Sequence, residues 1–167
     1  MKFEISDYNI EIHKYLDKWI DESKYLNARL INKYATYNEP ISKTYKYFLD
    51  NPYEMANIKS YIKLFISEDV VYGIVVFHYY NEKKKFFLAI NPLVVNPEFM
   101  NHGIGSKLLR QIVLQAREIA GGHVDIVKAD VENANIASMK IFEKMGFAKE
   151  IKNNNFIEYI YNLTEKY

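Results

Sequence analysis

Two glycines separated by one residue, Gly103 and Gly105, stand where an amphipathic helical segment begins. The first turn of a helix leaves backbone N–H groups without intrahelical acceptors, and the helix dipole adds about half a positive charge there. Glycine lets an anion approach that backbone closely. We therefore predict a phosphate-binding loop whose donors are the amides from His102 to Ser106. A side chain at Gly105 is expected to occupy the space of the phosphate.

Two familiar phosphate loops are excluded by the residues around this glycine pair. A dinucleotide-binding fingerprint needs a third glycine at the position of Leu108. A P-loop needs Gly-Lys-Ser/Thr, and the order here is Gly105-Ser106-Lys107. The loop is therefore either an ordinary turn or a site that holds a diphosphate-bearing cofactor in another way.

A second motif, Asn135-Ile-Ala-Ser-Met-Lys-Ile-Phe-Glu-Lys-Met-Gly-Phe147, begins about thirty residues after the loop. Its composition predicts a helix that Gly146 closes, as glycine commonly does at helix C-termini. Asn135 is a suitable N-cap for this helix, because its side-chain oxygen can accept from a first-turn amide.

Composition limits the class of protein. The 167 residues are 49% hydrophobic, which suits a single domain over residues 1–167. A net charge of +1 provides no field to recruit nucleic acid or an anionic membrane. The absence of cysteine excludes thiolate metal sites and a cysteine nucleophile, and no metal site is expected. No apolar run approaches the ~20 residues of a membrane span. We predict a cytoplasmic protein, with a homodimer left open.

The apolar periodicity predicts the order strand, two helices, three strands, helix, strand, helix, two strands. Predicted strands cover 3–5, 60–67, 71–79, 86–95, 123–131, 147–151 and 156–163, and predicted helices cover 13–30, 40–49, 103–118 and 135–145. Pro92 lies inside the fourth strand, where it cannot donate to a sheet ladder. It therefore predicts either an edge position or a bulge, and a bulge would splay this strand from its neighbour. The order indicates an α/β (α+β) fold with one β-α-β crossover.

The segment Leu93-Val-Val-Asn-Pro-Glu-Phe-Met-Asn-His-Gly-Ile-Gly-Ser-Lys-Leu-Leu109 resembles motif A of the GNAT superfamily of N-acetyltransferases. That motif centres on Gln/Arg-x-x-Gly-x-Gly/Ala. The segment from Asn135 to Phe147 resembles motif B of the same superfamily, and the two together cover about residues 86–151. The resemblance implies a GNAT-like mixed, mostly antiparallel sheet with flanking helices and a splayed central strand pair. It also implies acetyl-CoA-dependent N-acyltransferase activity.

By this resemblance, acetyl-CoA would lie in the V between the strands at 86–95 and 123–131. Its pyrophosphate would sit on the glycine loop, and its pantetheine arm would pair along the end of the first strand. Asn135 would hydrogen-bond to the pantetheine arm; the alternative is that it only caps its helix. Lys140 would contact the phosphates; the alternative is an ordinary solvated lysine. The implied cofactor-binding residues are Leu93, Val94, Val95, His102, Gly103, Ile104, Gly105, Ser106, Asn135 and Lys140.

The resemblance implies that an amine attacks the thioester directly, in a ternary complex. A backbone N–H near Val94 or Val95 would stabilise the oxyanion. Phe142 stands where the family often has a tyrosine as thiolate acid. Because a thiol has a pKa of about 8.5, the thiolate could leave unassisted or take a proton from water. Met100 replaces the Gln/Arg of motif A, which removes one side-chain donor to the pyrophosphate.

The family also often has a glutamate on the strand before motif A, and residues 88–92 contain no acid. The candidate bases are Asp130, Glu132 or His78, acting through water. The acceptor would be a primary amine of a small molecule or a protein, bound between the N-terminal helices and the last hairpin. Aromatic residues of that region are Trp19, Tyr25, Tyr34, Tyr37, Tyr159 and Tyr161. The alternative to an enzyme is a non-catalytic acyl-CoA-binding module of the same fold.

Overall fold

The computed structural model describes residues 1–19, 40–51, 57–133, 135–151 and 155–164. Within them, seven strands form one sheet in the order β1-β2-β3-β4-β5-β7-β6. The strands are β1 (Glu4–Asp7), β2 (Ile58–Ser67), β3 (Val70–Glu82), β4 (Lys85–Val95), β5 (Ile126–Glu132), β6 (Ala148–Ile151) and β7 (Phe156–Asn162). The helices are α1 (Ile10–His13), α2 (Ile41–Asp50), α3 (Ile104–Leu114), α4 (Ala116–Ala120) and α5 (Ile136–Lys144). Short 3-10 helices cover Lys14–Lys18 and Pro97–Phe99.

The predicted fold class is confirmed, and the described elements follow the predicted order, with differences at two helices and at β5, which begins at Ile126 and not at 123. The predicted helix over 103–118 is divided at Gln115, whose φ is −113°. The Gln115 side chain accepts from Gln111 and donates to Glu118, both at 2.8 Å. The predicted helix over 13–30 begins earlier, at Ile10, and tightens into a 3-10 helix at Lys14. The remainder of that predicted helix lies outside the described residues.

The central strand pair is splayed, as predicted from Pro92. β4 and β5 are parallel neighbours only from Phe87 to Ile90, opposite residues 126–129. On the other side of β4 the register with β3 shifts between Val75 and Phe77, so Asn91 and Pro92 together lie opposite one residue of β3. This is a bulge, and the Asn91–Pro92 peptide is cis. The described part of β4 beyond Ile90 no longer pairs with β5, which opens a V in the sheet.

The sheet is covered on both sides, and the two sides have separate cores. On what we call the α3 face, residues such as Val75 and Val127 pack against Leu108 and Ile112 of α3. On the opposite face, which we call the α2 face, Ile74 and Val76 belong to a second cluster against which α2 packs. The alternation of side chains along each strand therefore decides whether a residue meets α3 or α2.

Gly73 allows α3 to approach the sheet beside the V. It lies opposite Val95 in the β3–β4 ladder. A Cβ atom at this position would clash with the side chain of Leu108, and it would stand 3.3 Å from the Val94 carbonyl oxygen. An isolated glycine within a strand commonly marks such a close approach.

Gln111 joins α3 to β1 through a buried side chain. Its Oε1 accepts from the Phe3 N–H at 2.9 Å, and its Nε2 donates to the Phe3 carbonyl at 2.6 Å. Both backbone groups of Phe3 are therefore satisfied by one amide, at a residue that is 2% exposed. The edge strand β1 is thus held against α3, the helix that follows the glycine loop.

We expect Gln111→Leu to lower the free energy of unfolding by about 2 kcal/mol, because it leaves two buried backbone groups of Phe3 without partners. Urea denaturation followed by circular dichroism should show a lower midpoint with an unchanged slope. Gln115→Leu is the matched control, since it removes a side-chain bond to the same Gln111 but leaves Phe3 paired. Equal losses in the two variants would contradict the assignment.

Candidate functional site

The glycine loop is reached through an anchored turn at the end of β4. Asn96 is buried, and its Nδ2 donates to the Val71 carbonyl at 2.8 Å. Its Oδ1 accepts from the Glu98 N–H at 3.0 Å and so caps the 3-10 helix that begins at Pro97. Asn96 is not among the predicted site residues, although Asn before Pro favours turn initiation.

The loop itself presents backbone amides. Asn101 and Gly103 have φ values of 64° and 76°, which fold the chain back into α3. Lys107 donates to the Gly103 carbonyl at 3.2 Å, so the amides of the three residues before Lys107 belong to the first turn and lack intrahelical acceptors. Nothing lies within 4 Å of where a Cβ on Gly103 would be. This open, amide-lined cradle fits a pyrophosphate.

His102 is exposed and engaged within the loop. Its Nδ1 donates to the Met100 carbonyl at 2.7 Å. Because a carbonyl oxygen only accepts, the proton of the neutral ring is on Nδ1. The side chain thus stabilises the loop turn, and a contact of the His102 amide with a phosphate stays a prediction.

Near the end of β4, the backbone N–H and C=O of Val95 face the V. The Asn96 N–H donates to Tyr72 of β3 at 2.9 Å. In an antiparallel ladder, successive pairs alternate between bonded and non-bonded. The next pair, Val95 opposite Gly73, is therefore non-bonded, and the N–H and C=O of Val95 point away from β3. Of the two oxyanion donors predicted near this point, the geometry favours Val95 over Val94.

The side-chain direction at Gly105 differs from the expectation. A Cβ there would lie 3.0 Å from Ile141 Cδ1 and 3.6 Å from Val95 Cγ2. A larger residue would enter the space between α3, α5 and β4, because the α-carbon of Gly105 faces inward from the first turn. The glycine therefore serves close packing at the V, and its amide remains the group offered to a ligand.

Asn135 caps α5, as one of its two predicted roles requires. Its Oδ1 accepts from the Ser138 N–H at 3.3 Å. A bond from Asn135 to the pantetheine arm stays a prediction. Lys140, on the same helix, is exposed. Phosphate contact by Lys140 likewise stays a prediction.

Phe142 is buried in the α3-face core, where it is 6% exposed. Its ring stacks on Tyr159 at 5.3 Å and meets Phe147 edge-on at 5.1 Å. The hydroxyl of Tyr159, the ring that stacks on Phe142, donates to Glu143 at 3.0 Å. Burial, followed by the Glu143 interaction, raises the pKa of Tyr159 to about 12. Tyr159 therefore stays protonated at neutral pH with its proton directed to Glu143.

Two of the predicted acceptor-site aromatics are buried in the two cores. Trp19 is 5% exposed in the α2-face core, and Tyr159 is fully buried in the α3-face core. Tyr159 points inward by the alternation of β7, and Trp19, which ends the 3-10 helix that begins at Lys14, packs inward against the sheet. Tyr161 is half-buried against the α3-face core. The other three predicted tyrosines are outside the described residues.

The predicted acids on β5 lie on the α2 face. Ala129 and Val131 belong to the α3-face core, so Asp130 and Glu132 project to the other side. Asp130 is exposed and Glu132 is half-buried. Asp130 is opposite Glu158 of β7.

Lys128 lies on the same face, beside the last paired residues of the V. Its Nζ is 3.1 Å from Glu158 Oε2 and 5.7 Å from the centre of the Phe87 ring. Phe87 stacks on Tyr80 at 5.3 Å. Burial lowers the pKa of Lys128, but hydrogen bonds to Tyr80 and Glu158 outweigh it and leave the pKa raised. The ammonium group is therefore charged and held in place.

The comparisons with known proteins agree with this geometry. A sequence model described as the acetyltransferase (GNAT) family matches residues 20–147. A search of curated proteins found no match. Across the parts of the chain that the structure describes, no helix has the length and apolar character needed to cross a membrane.

Solved structures similar to this chain include several acetyltransferases. An alanine acetyltransferase of a ribosomal protein from Vibrio fischeri has a TM-score of 0.68 at 12% identity, covering 99% of this chain and 97% of its own. The N-acetyltransferase PseH from Campylobacter jejuni, in complex with acetyl coenzyme A, has a TM-score of 0.64 at 16% identity, covering 97% and 99%. A Salmonella typhimurium enzyme that modifies the N-terminal serine of a 50S subunit protein has a TM-score of 0.68 at 15% identity, covering 98% and 96%.

Proposed function

The chain belongs to the acetyltransferase (GNAT) family and is an acetyl-CoA-dependent N-acetyltransferase, and we propose that it acetylates a primary amine by direct attack within the V of its sheet. The single observation that carries this proposal is the juxtaposition of an amide-lined helix start with a gap between β4 and β5. The first can hold the pyrophosphate, and the second can receive the pantetheine arm.

In this proposal each part of the chain has a defined task. The amides of residues 102–106 bind the pyrophosphate, and Leu93 and Val95 pair with the pantetheine arm along the open edge of β4. The Val95 N–H, which points away from β3, donates to the oxyanion that develops on the thioester carbonyl. Asn135 and Lys140 at the start of α5 are proposed as contacts to the pantetheine arm and to the phosphates.

The leaving thiolate is proposed to depart without a tyrosine acid. Phe142 has no proton to give, and Tyr159 donates its own to Glu143. A thiol pKa of about 8.5 makes thiolate a fair leaving group near neutral pH. The proton of the incoming amine leaves toward the α2 face, where Asp130 and Glu132 lie.

The acceptor is proposed as a class, a primary amine of a small molecule or a protein. Two of the similar structures act on ribosomal proteins, which makes a protein N-terminus one member of the test panel. Neither nucleic acid nor a membrane is proposed as a partner. The single domain over 1–167, the cytoplasmic location and a homodimer are proposals that rest on the sequence alone.

Acetyl-CoA at about 100 times its dissociation constant should stabilise the fold by roughly 2.7 kcal/mol. For a chain of this size, that is on the order of 5–10 °C in melting temperature. Acetyl-pantetheine, which lacks the phosphates, is the matched control and should give a much smaller shift. No shift with millimolar acetyl-CoA would contradict the assigned site.

Thiol release tests the transfer itself. Free CoA should appear when acetyl-CoA is mixed with the protein and an amine panel containing alkylamines, polyamines and peptides with a free N-terminus. Mass spectrometry should then show a gain of one acetyl group on the amine. Binding of acetyl-CoA without thiol release from any amine would favour the non-catalytic module.

A further inference from the structure

We infer that the imidazole of His78, oriented by Ser60, is the base that takes the proton from the acceptor amine. This inference rests on the proposed function and specifies how its first step occurs. The His78 imidazole is on β3, whereas the predicted acids Asp130 and Glu132 are on β5.

The pairing of the strands places His78 next to the V. Ser60, His78, Ala89 and Lys128 are direct partners across β2, β3, β4 and β5, so their side chains form one row on one face. Ala89 is one residue before the end of β4–β5 pairing at Ile90. The imidazole is therefore one strand away from the point where the sheet opens.

The row lies on the face opposite the glycine loop. The Phe48 ring of α2 meets His78 edge-on, with 5.9 Å between ring centres, which identifies this as the α2 face. The glycine loop leads into α3, which packs on the other face. An amine that approaches from the α2 face can reach a thioester in the V without displacing the phosphates of the coenzyme. His78 is half-buried along that approach.

The ring is held in one orientation by Ser60. The Ser60 Oγ and His78 Nδ1 are 2.8 Å apart. We assign the proton to Nδ1, which donates to the hydroxyl oxygen and leaves the lone pair of Nε2 available. An imidazole anchored at one nitrogen and open at the other has the arrangement that proton transfer needs.

The surroundings of His78 favour the neutral ring. Burial lowers its pKa from 6.5, and none of the described residues adds a charge effect to the shift. Among the described residues, the nearest titratable side chains on this face are Tyr80 on its own strand and Lys128 on β5, and from α2 the Phe48 ring packs against it. Lys128 is held by Glu158, and Tyr80 stacks on Phe87. At pH 7 the ring is therefore mostly unprotonated and able to accept a proton.

The acceptor nitrogen loses two protons and gains the acetyl group. The ammonium of the acceptor gives one proton to Nε2 of His78 through a chain of water molecules along the V, because His78 is five residues along β3 from Gly73, the partner of Val95. The freed electron pair on nitrogen forms a C–N bond to the thioester carbonyl carbon, and the C–S bond breaks with its electron pair on sulfur. The second proton of the nitrogen ends on sulfur as the CoA thiol, and the imidazolium returns the first to solvent.

His78→Gln tests the assignment in the intact chain. With the most reactive amine of the panel at pH 7, kcat/KM should fall by about 10²–10⁴-fold. Acetyl-CoA affinity, measured by calorimetry, should stay within twofold. His123→Gln is the matched control, because His123 pairs with Asp125 before the start of β5, away from the V, and should retain full activity. Ser60→Ala should lower kcat/KM less than His78→Gln and shift the pH profile.

The pH profile of the unmodified enzyme gives a second readout that needs no variant. Its kcat/KM should rise with pH through a pKa below 6.5, and this limb should be absent from His78→Gln. A flat profile of the unmodified enzyme at every pH below 6.5 at which the protein stays folded, or undiminished activity in His78→Gln, would overturn the inference alone. An unmodified enzyme inert toward every amine would overturn the proposed function and this inference with it.

Discussion

Phe142→Ala should lower the free energy of unfolding by about 3–5 kcal/mol, because it removes a buried ring and leaves a cavity. The ring is 6% exposed and contacts both Tyr159 and Phe147. Denaturant unfolding should show a lower midpoint with little change in slope. We therefore expect stability to fall before the variant can report on chemistry.

Phe142→Tyr is the matched control, since it keeps the ring and adds only a hydroxyl. If the family position of the thiolate acid is carried over correctly, the new hydroxyl lies near the sulfur and the transfer rate stays level or rises. General acid help is typically worth 10²–10⁴-fold when proton transfer limits a reaction. A level rate would show that thiolate departure does not limit the enzyme. Loss of transfer with intact folding and acetyl-CoA affinity would contradict the placement of Phe142 beside the sulfur.

Gly105→Val should lower acetyl-CoA affinity at least tenfold, about 1.4 kcal/mol. A Cβ at this position already stands 3.0 Å from Ile141 Cδ1, so a branched side chain forces α3, α5 and β4 apart. Overpacking of this kind commonly costs about 1–3 kcal/mol in stability as well. Calorimetry gives the affinity, and thermal unfolding without ligand gives the stability.

Gly103→Ala separates crowding from backbone strain within the same loop. Its φ is 76°, which disfavours alanine, but a Cβ there meets nothing within 4 Å. We expect a small loss of stability and a smaller loss of affinity than in Gly105→Val. Equal affinities for the parent and Gly105→Val would show that the packing of the V does not control cofactor binding.

The sequence by itself determined the features that depend on the conformational chemistry of single residues. Gly146 takes a positive φ where it ends a helix and Asn135 caps the start of the same helix, because short-range sterics and local hydrogen bonds dictate both. Pro92 lacks a backbone donor, so a bulge in β4 follows from its chemistry wherever the strand pairs. The order of elements followed from apolar periodicity, because the repeat of a helix or a strand is visible in neighbouring residues of the chain.

Only the tertiary structure decided which face each residue occupies. The inward position of Tyr159 and the orientation of the Val95 amide depend on which strands are neighbours and in what register. The Cβ direction of Gly105 and the burial of Trp19 depend on how their helices pack against the sheet. A change of one residue in register moves every side chain of a strand to the opposite face. His78 and Ala89 are direct partners, and Ala89 in turn pairs with Lys128, thirty-nine residues further along the chain. Their common row beside the V results from strand pairing that no local pattern encodes.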